Sequence, residues 1–238
     1  MAVIEGGASG SLLNVDTATL AARVQIRPTD IGVLGSYQVS ALSGTMAAGL
    51  AAGSTIVSCR WGDATRTMLL RRVALTARIA GTAFTAGVTL FDIIIARGFT
   101  ASDSGGNSIL PTGNSNKRRT SFGTTLVTDL RTSSTAALTA GTRTLDSFAI
   151  AQTRGFVPAT QVNYPFVGKG VTNVPGASTV AYSLDPQDLF ILDTSSEWPL
   201  VFVQNEGFIV RATVPATGTW EFGVQIEWAE IATTGGYN

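Results

Sequence analysis

The chain has no histidine. That removes Ser-His-Asp and Cys-His catalysis, histidine-ligated zinc and the proton shuttle that works near neutral pH. Its single cysteine, Cys59, rules out both thiolate metal clusters and an internal disulfide. Neither lysine stands three residues after a serine, so there is no Ser-x-x-Lys dyad motif. Carboxylates remain. Two of them facing a sugar bond could hydrolyse it, and the candidates are Asp63, Asp92, Asp185, Asp188, Asp193, Glu197, Glu206, Glu221, Glu227 and Glu230. Most fall in turn sequences or on the polar face of the last strand pattern. Asp92 alone interrupts an apolar run, where it is either catalytic, paired with an arginine, or turned to water or a subunit interface.

Three other stretches could bind something. Gly168-Lys169-Gly170 lacks the upstream glycine and the following Ser/Thr of a phosphate loop, and reads as a flexible loop. Asp103 to Asn107 carries oxygens without the ligand spacing of a calcium loop, and reads as a turn. Lys117-Arg118-Arg119 is the one cationic cluster. It either meets an acidic patch on a partner protein, meets phosphates, or is a plain exposed loop. No cofactor is expected.

The elements that must position these residues read as β. Trp220, Phe222, Val224, Ile226 and Trp228 alternate with Glu221, Gly223, Gln225, Glu227 and Ala229, which gives one apolar face and one mostly polar face. Phe208, Val210, Ala212 and Val214 alternate with Ile209, Arg211 and Thr213, and Pro215-Ala216-Thr217-Gly218 lies between the two runs. The expectation is an antiparallel hairpin with the tryptophan-bearing face on the core. Upstream, strands are expected at Ser36–Ser43, Thr55–Trp61 and Met68–Ile79, with a bulge or strand end at Arg71-Arg72. Val88 to Arg97 is almost continuously apolar and predicts a strand buried on both faces. Gly98 to Phe122 is rich in turn residues and predicts a long functional or interaction loop. Shorter strands are expected between Thr124 and Gln204. No helical period is sustained, so the fold class is all-β: a β-sandwich, a jelly roll by expectation, over residues 31–238.

Residues 1–30 are read as an extended N-terminal arm with one short strand at Arg23–Arg27, ended by Pro28. Its apolar residues Leu12, Leu13, Val15, Leu20, Val24 and Ile26 are the candidates for contact with a partner, together with Lys117, Arg118 and Arg119. The alternative is a frayed terminus. No signal sequence opens the chain and no apolar run reaches membrane-spanning length, so synthesis in the cytoplasm is expected. Charged residues are 13% of the chain and formal net charge is +0. A surface so poor in charge suits a protein that packs against copies of itself, and zero net charge gives no pull toward nucleic acid or a membrane.

Met1 to Gly10, the Ser36-Tyr37 strand, Arg60-Trp61-Gly62-Asp63-Ala64, Thr144-Leu145-Asp146 and Asn205 through Trp228 together resemble a set of structural proteins of tailed bacteriophages. The resemblance runs nearly the length of the chain and includes no catalytic motif. It implies a non-enzymatic virion component. Within that class it implies a capsid decoration or cement protein: a small β-rich homotrimer bound to the major capsid protein. A tail or fibre component is the neighbouring alternative. A carbohydrate-binding or glycan-cleaving β-protein is the rival from another class.

Overall fold

A computed structural model describes residues 34–47, 50, 52–168, 185–192 and 199–232, with the backbone pairing of 5–6 and 11–12. The Gly168–Ser178 loop, the Thr179–Leu184 strand, Asp193 and Glu197 of the sequence reading lie mostly or wholly outside the described residues. In chain order the strands are β1 (Glu5–Gly6), β2 (Ser11–Leu12), β3 (Gly35–Leu42), β4 (Met46–Ala47), β5 (Ser54–Trp61) and β6 (Arg66–Ile79). Next come β7 (Gly87–Ala101), β8 (Asn107–Ser108), β9 (Val127–Thr132), β10 (Thr142–Leu145) and β11 (Ala151–Val157). The last five are β12 (Pro165–Val167), β13 (Gln187–Ile191), β14 (Val201–Phe202), β15 (Glu206–Thr213) and β16 (Thr219–Ala232). Among the described residues there is no helix.

Two antiparallel sheets pack face to face as a sandwich. One runs β12-β6-β16-β3, with β13 and β14 also on β6 and β4 on β16. The other runs β10-β7-β15-β5-β9-β8, with β11 also on β7. In each sheet a late strand lies between two early ones: β16 between β3 and β6, β15 between β5 and β7. That interleaving is consistent with the paired Greek keys of a jelly roll.

The two C-terminal strands are therefore not a hairpin. β15 belongs to one sheet and β16 to the other. The link between them is a corner, with Thr217 at φ 66 and Gly218 at φ 82. A side chain on Gly218 would meet the Ala83 carbonyl oxygen at 2.8 Å. Alternation fixed which face of each strand is apolar, and Trp220, Phe222, Val224, Ile226 and Trp228 are all buried. It carried no information on partners, because two strands from opposite sheets present their apolar faces to the same core.

The core joins both sheets. Tyr37 stacks on Trp228 at 5.4 Å between ring centroids, and Phe91 meets Trp220 edge-on at 5.8 Å. The Arg71-Arg72 irregularity is a bulge: Glu227 pairs with Arg72 while Trp228 pairs with Leu70. β7 is buried on both faces from Phe91 to Ala96. Its start is open, with Val88 60% exposed.

Candidate functional site

Most of the described carboxylates are bound to arginines or to turns. Asp92 sits opposite Arg211 on the neighbouring strand. Arg211 Nε donates to its Oδ1 at 2.8 Å and Nη2 to its Oδ2 at 2.7 Å. The sequence reading that gave Asp92 an arginine partner holds. Arg78 grips Glu221 with two bonds of 3.0 and 2.7 Å. Arg97 bridges Asp146 and Glu206. Asp63 Oδ1 closes its own turn by accepting from the Thr65 and Arg66 main-chain N–H groups. Arg72 lies between Asp188 at 2.5 Å and Glu227 at 3.6 Å. Among the described residues no three His, Cys, Asp or Glu side chains gather as a metal-ligand group.

Two further ionic sites are buried, and the sequence reading missed the role of each. Asp103 lies in the stretch read as a plain turn. It is buried against Arg143, accepts the Gly141 N–H at 2.8 Å, and forms an ion pair with the Arg143 guanidinium. Arg143 in turn covers the Phe99 ring at 5.5 Å, and burial lowers its pKa. No local signal in the sequence marks this pair, since 40 residues separate its members.

Glu230 is the second, and its signal was present. It continues the parity of Trp220 through Trp228, so the alternation that buries the tryptophans also turns Glu230 inward. It is fully buried. Its Oε1 accepts from Leu126 N–H at 2.8 Å and Thr125 Oγ1 at 2.7 Å, and its Oε2 lies 3.4 Å from Arg66 Nη1. Burial raises its pKa, against the downward pull of those donors. The Tyr37 hydroxyl donates to the Gly123 carbonyl at 2.8 Å, and its pKa is pushed up to about 12 by burial and by the nearby Glu230 charge. Trp228 Nε1 donates to Thr125 Oγ1 at 3.3 Å.

These groups hold down the segment that carries Lys117-Arg118-Arg119. Its backbone pairs with the edge of β3: Gln38 N–H donates to Asn116 at 3.1 Å and Arg118 N–H to Ser36 at 2.9 Å. Arg118 Nη2 donates to Glu227 Oε2 at 2.5 Å and to Gln38 Oε1 at 2.9 Å. Lys117 donates to Asn114 Oδ1 at 2.8 Å, and Arg119 lies over the Phe122 ring at 6.0 Å. The cationic triplet is thus held at the sheet edge by a single bridge, Lys117 opposite Tyr37. Of the arm residues expected to meet a partner, Leu13, Val15, Leu20, Val24 and Ile26 lie outside the described residues. Leu12 is described only as part of β2, whose backbone pairs with β1.

Several large apolar side chains are exposed. Val88 and Phe156 are register partners on β7 and β11, and Phe156 is 61% exposed. Phe148, at 84%, and Ile150 lead into the other end of β11, where Ile150 N–H donates to the Ile93 carbonyl at 2.9 Å. Comparison with family models, curated proteins and solved structures returns no match.

Proposed function

We propose that the chain is a non-enzymatic structural subunit of a tailed-bacteriophage virion, of the capsid decoration type. It binds the outer lattice through the major capsid protein and assembles with copies of itself into a trimer or another closed ring. The observation that carries this reading is the set of large apolar side chains left exposed at both ends of the β7–β11 pair, Val88 and Phe156 at one end and Phe148 and Ile150 at the other. The facing pair Val88 and Phe156, and an aromatic ring as exposed as Phe148, are surfaces that a partner would cover. With charged residues at 13%, little else on the surface would keep these side chains apart from neighbouring copies. The sequence resemblance to phage structural proteins supplies the class of particle.

The glycan-cleaving rival wants a cleft with two facing carboxylates and an aromatic platform. Asp92, Glu206, Glu221, Glu227 and Glu230 are instead engaged with arginines, and Trp61, Trp220 and Trp228 are all in the core. The test is co-sedimentation of purified protein with capsids lacking it, beside isolated tails and a glycan panel. Saturable binding to capsids supports the proposal. Binding to tails alone selects a tail component, and binding to glycans alone overturns the proposal.

A further inference from the structure

Strand β11 is an outermost strand of its sheet. It pairs with β7 alone, and among the described residues no other main-chain bond reaches residues 151–157. A strand in a ladder turns every second N–H and C=O away from its partner, so β11 presents a free lane along its 7 residues. The other sheet does not close that lane. Its β12 lies under the inner face: a Cβ on Gly155 would run into the Phe166 carbonyl oxygen, on the side of the fully buried Thr89. Gln187 of β13 likewise donates to the inward Thr153 Oγ1 at 2.9 Å. An unpaired edge of this length is a template for another strand.

The side chains say which strand fits. Along β11 and the residue before it, the exposed positions run apolar, polar, polar, apolar: Ile150, Gln152, Arg154 and Phe156. Ala151, Thr153 and Gly155 between them are half-buried. Ile150 is 40% exposed and Phe156 61%. Arg154 has no ion-pair partner among the described residues. An order that reads the same from either end is complementary to itself when the strand is laid antiparallel on its own copy.

We propose that β11 pairs antiparallel with β11 of a second copy across a two-fold axis at Thr153, joining the two outer faces into one sheet. This deepens the reading of the chain as a self-associating subunit, and rests on it. The axis follows from the side chains. Exposed residues must face exposed residues, so the axis runs beside a residue and not between two. An axis at Arg154 would set two guanidinium groups opposite each other, which is unfavourable. An axis at Gln152 would set Arg154 against Ile150. At Thr153, Arg154 of each copy lies opposite Gln152 of the other, where its guanidinium donates to the amide carbonyl. Phe156 then lies opposite Ile150, and Val88, beside Phe156 on β7, is covered with it. The apolar residues at the two ends of the strand thus meet each other twice. Such a contact uses the same patch on both copies and closes at two, so the oligomer is a dimer or is built of dimers.

The test is cross-linking by engineered cysteines. Cys59 is the only native thiol and is fully buried. Chains carrying Gln152→Cys and chains carrying Arg154→Cys are co-expressed, purified together and oxidised. Facing residues on adjacent strands are within disulfide reach. The expected result is a dimer linked between positions 152 and 154, present in the mixture and absent from each variant alone, with the wild-type chain sedimenting as an even number of copies. A link in one variant alone supports the strand pairing and moves the axis to that residue. If no link forms while light scattering shows a trimer or another oligomer, the two-fold pairing is overturned and the self-association reading stands. If only monomers are found at high concentration, both fall.

Discussion

Glu230 accepts the main-chain N–H of Leu126 at 2.8 Å, and 104 residues separate the two in sequence. This one contact ties the last strand to the end of the segment that carries the cationic triplet. Replacing Glu230 by alanine leaves that N–H and the Thr125 hydroxyl unpaired in a buried space. The expected loss is about 2 kcal/mol of unfolding free energy, read by urea denaturation.

The same residue sets a pH dependence. Burial raises its carboxyl above the ordinary 4.5, so the folded chain holds this proton more tightly than the unfolded chain. The resulting stabilisation is fully present below pH 4.5 and is lost as pH rises through the raised value. E230Q cannot titrate. The stability of the wild type relative to E230Q should therefore increase as pH falls from neutral toward 4.5. A flat profile would mean that the carboxyl is solvated, and a fall would mean that its hydrogen-bond donors and Arg66 outweigh burial.

Asp92 and Arg211 join β7 to β15 across the outer face of their sheet. Truncating one partner leaves the other half-buried and unpaired, so D92A and R211A should each cost about 2 kcal/mol. The double variant should cost less than the sum of the two. Strict additivity in that cycle would show that the pair contributes nothing.

Gly218 makes the corner between the sheets. With φ at 82 and the Ala83 carbonyl oxygen 2.8 Å from a built Cβ, Gly218→Ala should destabilise the fold by roughly 1–3 kcal/mol. A neutral effect in thermal unfolding would mean that the chain turns differently there.

Arg118 is 40% exposed at its side chain, and such pairs add little to global stability. Its effect should be local. Arg118→Ala should leave the unfolding midpoint nearly unchanged but speed tryptic cleavage after Lys117 and Arg119. Equal cleavage rates would show that the main-chain pairing with β3 holds the segment without the Glu227 contact.

The faces of the strands were legible in the sequence and their partners were not. Alternation from Trp220 to Trp228 placed five side chains in the core correctly, because a strand's face depends only on its own residues. The hairpin failed because pairing depends on strands far away in sequence: β16 lies between strands that begin at Gly35 and Arg66. The bulge at Arg71 was readable, since adjacent arginines break the alternation of a buried strand. Glu230 was readable by parity alone. The Asp103–Arg143 pair was not, because neither residue has a local pattern and only the fold brings them together.

The most direct test of the virion proposal is a cryo-EM map of the phage particle that carries this protein. The expected map shows closed rings of copies on the outer capsid, with the exposed apolar residues at both ends of the β7–β11 pair covered by protein. Isolated monomers with those surfaces open to solvent, or density confined to the tail, would contradict it.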